Sequence, residues 1–183
     1  YGHRVAPAPG GDIIVTGFTH GSFPVTAGAA QTLFGGLGDA FVVRVKAAGD
    51  GLGYSTYLGG NSWDGAGGLA VDALGQVILS GDTHSATFPA TPGAWDRTCS
   101  NCSTNDSTDG YIAKLSAAGN RWIFATYVGG AAAPASESLR RIAVDTDGSI
   151  WAVGMSGGAD FPTTSDAAQP QSGGGGDAVI VRL

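Results

Sequence analysis

The chain has 183 residues, a net charge of -6 at pH 7 and a charged fraction of only 13%. This length fits one domain, and the nine Lys and Arg residues are scattered, so we expect no nucleic-acid partner. No run of 18 or more apolar residues occurs, which predicts that the chain has no membrane span.

Four sequence blocks recur in the same order along the chain and predict its strands. The blocks cover residues 5–17, 69–81 and 142–154; then 23–26, 88–91 and 161–164; then 39–45, 109–115 and 177–183; then 54–60 and 124–130. The period is about 70 residues, because Asp39 and Asp109 are 70 positions apart. Blocks of constant length joined by connectors of variable length indicate packed strands and surface loops.

Taken in chain order, each repeat predicts four strands. The first block forms two strands around a turn, and its second strand is apolar throughout at residues 13–15 and 77–79, which predicts burial on both faces. The third block alternates apolar residues with a cation, a pattern typical of a half-buried strand. The fourth block adds the last strand of the repeat.

A four-stranded sheet with apolar residues on both faces must stack on copies of itself. We therefore predict an all-β fold, a partial β-propeller of about three four-stranded antiparallel blades in one segment, residues 1–183. The expected blades span residues 4–60, 61–130 and 131–183. The last blade is incomplete, because the third repeat stops at Leu183 before a fourth block.

The blocks Phe-Pro-x-Thr, Gly-Asp-Ala-Phe-Val-x-Arg-Val and Tyr-Ser-Thr-Tyr-Leu-Gly-Gly closely resemble the SBBP (bacterial β-propeller) repeat family. The resemblance implies a propeller in a large secreted or surface-attached bacterial protein, and it carries no catalytic residues over to this chain. The first repeat departs from the pattern, since Pro7 stands where Val71 and Val144 are found. Proline cannot donate to a sheet, so we expect an edge or irregular strand there.

Cys99 and Cys102 form a Cys-x-x-Cys sequence in the longest connector. A redox site with this spacing needs a helix start, which we do not expect here, and a zinc site needs four ligands. A disulfide that closes the loop is therefore favoured, with free thiols as the alternative.

Polar residues beside that loop are candidates for calcium, namely Asn105, Asp106 and Asp109, because calcium takes oxygen ligands from such loops. Simple turn chemistry is the favoured interpretation, and we commit to no metal or cofactor. His20 and His84 occupy equivalent positions and are expected to be surface residues. Asp39, Asp109 and Asp177 recur in every repeat, which favours a structural role over a catalytic one.

We expect a secreted or cell-surface binding module with a scaffold role that recognises protein or glycan, and no enzymatic activity. The connector at residues 92–108 is the favoured recognition loop, and a carbohydrate platform of aromatic residues is a further hypothesis. Its partners are further blades of the same polypeptide, which we favour, or other copies of the chain. The alternatives are a structural block of an extracellular assembly and a piece of a propeller enzyme whose active site lies elsewhere. Because the chain begins at Tyr1, we expect it to come from a longer polypeptide.

Overall fold

A computed structural model describes residues 1–100, 102, 107–132 and 135–183. The strands are β1 Gly2–Pro7, β2 Ile13–Thr19, β3 Asp39–Val45, β4 Leu52–Leu58, β5 Asp64–Val71, β6 Val77–Thr83, β7 Asp109–Leu115, β8 Trp122–Val128, β9 Glu137–Val144, β10 Ile150–Ser156 and β11 Asp177–Arg182. A 3-10 turn, Pro9–Gly11, separates β1 from β2. None of the described residues belongs to a helix that is long and apolar enough to cross a bilayer.

The strands form three antiparallel sheets with the orders β1-β2-β3-β4, β5-β6-β7-β8 and β9-β10-β11. Each sheet follows the chain without crossovers, as expected for strands joined by turns and connectors. The predicted fold class is confirmed: the chain is all-β and consists of three antiparallel blade-like units, of which the last has three strands. Closure of such units into a ring stays a prediction.

Successive sheets stack face to face through two hydrophobic clusters. One cluster joins the first sheet to the second, and it includes Ile14, Val42 and Leu79. The other joins the second sheet to the third through Ile112 and Leu139. Burying one such aliphatic side chain stabilises the fold by about 1.5–3 kcal/mol. The first strands of the three sheets, β1, β5 and β9, also contact one another in that order along the stack, and we call them the inner strands.

Burial depends on the position of a sheet in the stack. The second strand of each repeat was expected to be buried on both faces. This prediction is confirmed for β6, where residues 77–79 are inaccessible, and it is wrong for β2, where Ile13 is 44% exposed. Conversely, β7 was expected to be half-buried and is covered on both faces. The physical reason is that only the second sheet has a neighbour on each side.

A glycine that recurs in every repeat, at Gly17, Gly81 and Gly154, fits against the inner strand. A β-carbon at these positions would overlap the carbonyl oxygen of Tyr1, which precedes β1, of Gly65 in β5 or of Ser138 in β9. This close approach explains why the glycine recurs in all three forms of the motif, Val-x-Gly, Leu-x-Gly and Ala-x-Gly. Pro7 lies in β1, the edge strand of its sheet, where a missing amide hydrogen costs no sheet hydrogen bond.

Candidate functional site

Each inner strand carries a β-bulge at the same position of the repeat. The pairing registers shift around His3 in β1, around Gly67 in β5 and around Arg140 in β9. A bulge leaves one residue unpaired and redirects its side chain, and bulges often lie beside binding sites. The three bulges occupy equivalent positions of the repeat, and they lie on the neighbouring strands β1, β5 and β9.

These bulges border a cleft of about 440 Å³. Binding sites for small ligands commonly enclose about 300–1,000 Å³, so the cleft has a suitable size. It is lined by His3, Arg4, Phe18, Trp63, Gly65, Ala66, Gly67, Asp82, Arg140 and Arg141. The cleft thus combines cations, aromatic rings, one carboxylate and a floor of small residues.

Three guanidinium groups in the cleft, those of Arg4, Arg140 and Arg141, have no carboxylate partner among the described residues. Arg4 donates to the carbonyl oxygen of His3 (2.8 Å), and Arg140 donates to Ser138 Oγ (3.2 Å). The ion pairs of the described chain involve other cations. One third of the nine Lys and Arg residues therefore faces this cleft unpaired, although the net charge is -6.

An aromatic wall closes the cleft between the first and second sheets. The ring centroids of Phe18 and Trp63 are 4.9 Å apart, and those of His20 and Trp63 are 4.7 Å apart. His3 packs edge-on against Phe18 and its Nδ1 lies 3.1 Å from the carbonyl oxygen of Ala66. His20 is exposed, as the sequence predicted, but it belongs to this aromatic group; the backbone of half-exposed His84 donates to the carbonyl oxygen of Trp63 (2.8 Å).

Asp82 on β6 is the carboxylate of the cleft. Burial raises its pKa, while the nearby charge of Arg140 opposes that rise, followed by smaller contributions from His84 and His3. A carboxylate accepts hydrogen bonds, whereas the guanidinium groups only donate them. The cleft therefore offers both kinds of partner to a ligand.

A second group of charged residues lies at the junctions between sheets. Asp39 is fully buried, and its Oδ2 accepts hydrogen bonds from the amide of Gly35 (2.8 Å) and from Gln31 Nε2 (3.2 Å). Asp64, at the start of the next sheet, accepts from the amide of Gly60 (2.8 Å) and from the hydroxyls of Thr83 and Ser85. Burial raises the pKa of Asp64 to about 6, with a smaller contribution from the charge of Asp39.

The glycine that follows β4 and β8 is explained by these carboxylates. A β-carbon on Gly59 would lie 2.6 Å from Asp39 Oδ1 and 2.8 Å from Asp64 Oδ2, and one on Gly129 would lie 2.7 Å from Asp109 Oδ1. The Gly-Gly of the fourth block and the Asp of the third block therefore recur together because they touch. These contacts hold the junctions between sheets together, while the absence of a catalytic role for the recurring aspartates stays a prediction.

Asp109 lies at the junction between the second and third sheets. Burial raises its pKa to about 7, helped by the charges of Glu137, Asp96 and Asp160. Asp96 occupies the place of Gln31 in the repeat, so that a carboxylate stands where the first sheet has an amide donor. In the third sheet Gln169 donates to Asp177 (3.3 Å), as Gln31 does to Asp39. The second sheet alone exchanges this donor for a further acid.

Cys99 and Cys102 are joined in a disulfide, with their Cα atoms 5.5 Å apart. Both sulfurs and a carboxylate oxygen of Asp109 lie within 4.8 Å of one another. Disulfide sulfurs are poor metal ligands, because the thiolate is the form that binds metals. The other two calcium candidates, Asn105 and Asp106, lie outside the described residues, so the calcium hypothesis stays a prediction.

A scan of protein-family models gives no match to this chain, and a search of curated proteins gives none either. The resemblance to the SBBP repeat therefore remains a prediction that rests on the motifs.

The three arginines of the cleft were not predicted as site residues from the sequence. Aligning the repeats at the first block places His3-Arg4 and Arg140-Arg141 opposite Gly67-Gly68. Basic residues thus flank a glycine pair at one repeat position, and this signal was present in the sequence. Its meaning depends on the bulges, which bring the three positions to one inner edge.

Proposed function

We propose that the chain is a secreted or cell-surface binding module with a scaffold role, which recognises an extracellular protein or glycan in the cleft between its inner strands. The observation that carries this proposal is the convergence of unpaired cations and aromatic rings on one cleft of about 440 Å³. Concave sites with a few converging polar groups are the usual location of ligand binding.

We propose binding rather than catalysis for this chain. The buried carboxylates Asp39 and Asp64 accept hydrogen bonds from turns and from neighbouring strands, which accounts for them structurally. The cleft itself offers a guanidinium-rich wall and one carboxylate, a combination suited to holding a polar ligand.

A pair of tryptophan variants tests the location of binding. The protein is screened against an array of neutral and acidic glycans and a panel of extracellular matrix proteins, and every ligand found is measured again with Trp63→Ala and Trp95→Ala. Trp63 borders the cleft, whereas Trp95 is 61% exposed on the long connector that the sequence favoured. We expect Trp63→Ala to weaken binding at least about tenfold and Trp95→Ala to have little effect.

The reverse result would move recognition to the connector at residues 92–108. Absence of any ligand on both panels would remove the binding proposal. Because Trp63 is half-buried, thermal melting of each variant accompanies the binding measurement.

A structural role in an extracellular assembly is the second candidate, favoured by the outer face of the third sheet. Trp151, Val153, Met155 and Ile180 are exposed there, although the residues equivalent to three of them in the second sheet, Ile78, Ser80 and Ile112, are buried. Exposed apolar patches often mark interfaces. Light scattering over a range of concentrations discriminates the two candidates, since an assembly block must gain mass as concentration rises.

A further inference from the structure

We propose that the cleft binds an acidic saccharide, with the anionic group held by Arg4, Arg140 and Arg141, the hydroxyls held by Asp82 and the ring packed on the aromatic wall. This inference rests on the proposed binding function and names its ligand class. It follows from four features of the cleft: its unpaired cations, its carboxylate, its aromatic wall and its glycine floor.

The cations indicate an anionic ligand. Arg140 and Arg141 are exposed residues of one strand, and Arg4 approaches from β1 of the first sheet. These three cations form no ion pair within 4 Å among the described residues, and the one nearby carboxylate, Asp82, offsets only part of their positive charge, so a bound anion relieves the remaining repulsion. Guanidinium groups donate paired hydrogen bonds to carboxylates and sulfates, which suits them to this role.

Asp82 argues against a simple anion. A carboxylate beside the binding site repels an inorganic anion, but it accepts hydrogen bonds from hydroxyl groups. A ligand that carries an anionic group together with several hydroxyls uses the arginines and Asp82 at the same time. A neutral saccharide would leave the guanidinium groups without an anionic partner.

The aromatic wall supplies the third part of the recognition. Trp63 and Phe18 are both half-exposed, so part of each ring remains accessible beside the charged groups. Aromatic side chains combine a large apolar surface with a polar edge and are suited to contacts with ring-shaped ligands that are apolar on one face. An acidic peptide would satisfy the arginines but presents no comparable set of hydroxyls to Asp82.

The second sheet carries Gly67 and Gly68 where its neighbours carry basic side chains, and β9 packs directly against Gly67. A β-carbon on Gly67 would lie 3.0 Å from the carbonyl oxygen of Leu139 and 3.1 Å from the Cα of Arg140. The glycine pair thus lets β9 approach β5 closely and brings the arginines of the third sheet toward His3 and Arg4 of the first.

The test compares trigalacturonate with the neutral trisaccharide obtained by reducing its three carboxyl groups, using isothermal titration calorimetry on the whole chain. We expect trigalacturonate to bind at least about tenfold more tightly than the neutral sugar. The double variant Arg140→Gln/Arg141→Gln should lose at least about tenfold in affinity. Arg121→Gln is the matched control, because Arg121 is exposed in the turn before β8 and outside the cleft.

Two further arms separate the parts of the inference. Asp82→Ala removes the acceptor for sugar hydroxyls together with the charge that repels any anion, so it should lower the affinity for trigalacturonate relative to the affinity for sulfate, which offers no hydroxyl donor. The peptide Glu-Glu-Glu with an acetylated N-terminus and an amidated C-terminus, which has three carboxylates and no hydroxyls, should bind at least about tenfold more weakly than trigalacturonate.

Equal binding of the acidic and neutral sugars, or unchanged affinity in the double variant, would overturn the inference. Binding of the glutamate peptide as tight as that of trigalacturonate would do the same. If neither sugar binds while another ligand from the screens depends on Trp63, the saccharide inference fails and the binding proposal stands. If no ligand of any kind is found, the proposed function fails as well.

Discussion

The second and third sheets carry the same sequence motifs in different surroundings. Ile112 on β7 and Ile180 on β11 occupy the same repeat position, yet Ile112 is inaccessible and Ile180 is 72% exposed. Likewise Ile78 is buried, while Trp151 at the equivalent place on β10 is exposed. The motif fixes the strand, and the number of neighbouring sheets decides what the strand contributes to stability.

Truncating the two isoleucines should give the largest difference between these sheets. Ile112→Ala removes a side chain that packs between the second and third sheets, and we expect it to lower the free energy of unfolding by about 2–5 kcal/mol. Ile180→Ala removes an exposed side chain and should change that free energy by less than about 0.5 kcal/mol. Urea denaturation at low protein concentration measures both values.

The matched residue type makes the result decisive, since both changes delete the same atoms from the same kind of strand. Similar losses in the two variants would mean that the outer face of the third sheet is covered in solution. That outcome would favour the assembly candidate over the isolated binding module. A small loss for Ile112→Ala would contradict the stacking of the sheets itself.

The recurring aspartates should respond to pH with opposite signs in the two sheets. Burial raises the pKa of Asp109 to about 7, so this residue favours the folded state when protonated, and its contribution is lost as the pH rises from about 4 through about 7. Because one pKa unit corresponds to about 1.4 kcal/mol, the loss amounts to at most about 4 kcal/mol. The pKa of half-exposed Asp177 is lowered, chiefly by a hydrogen bond from Ser172, so its smaller contribution is lost as the pH falls below about 4.

Asparagine variants separate these two signs. Asp109→Asn imitates the protonated carboxyl and should raise the melting temperature at pH 8 while changing it little at pH 5. Asp177→Asn should lower the melting temperature slightly at pH 8. Melting curves between pH 3 and pH 9 provide the measurement, and a loss of stability in Asp109→Asn at pH 8 would show that the charged form of Asp109 is the favoured one.

The strands were predictable from the sequence because a repeat fixes their order, and alternation fixes their period. The difference between Ile112 and Ile180 was not, since it depends on which sheets lie on either side. The turn between the two strands of the first block was also predictable, and in the second sheet Asp72 Oδ1 holds that turn by accepting from the amides of Leu74 (3.0 Å) and Gln76 (2.8 Å).

The cleft was less accessible to sequence reasoning. The pairs His3-Arg4 and Arg140-Arg141 are 137 positions apart, and only the stacking of the inner strands brings them to one edge. The carboxylate of Asp82 gave no signal, because the first and third repeats carry Phe18 and Met155 at that position. The pKa values of Asp64 and Asp109 are likewise raised by burial between two sheets. That burial cannot be inferred from the sequence of a single repeat.

The smallest contrast concerns ion pairs, which each sheet forms between the cation of its third strand and an aspartate near its first hairpin. Lys114 Nζ lies 3.0 Å from Asp72 with both side chains largely buried, whereas Arg182 lies 3.7 Å from Asp147 with both exposed. Double-mutant cycles with Met and Asn replacements should give a coupling energy of about 1 kcal/mol for the first pair and less than about 0.3 kcal/mol for the second.

The cycle is needed because Arg182 also lies over the ring of Trp151, 5.0 Å from its centroid, and donates to Ser149 Oγ (3.1 Å), so a single replacement removes three interactions. Water screens the exposed pair, and 0.5 M salt should weaken it further while leaving the coupling of Lys114 and Asp72 mostly intact. Equal couplings in the two sheets would contradict the difference in solvent exposure. They would indicate instead that a partner covers the third sheet, the same conclusion that equal costs for Ile112→Ala and Ile180→Ala would require.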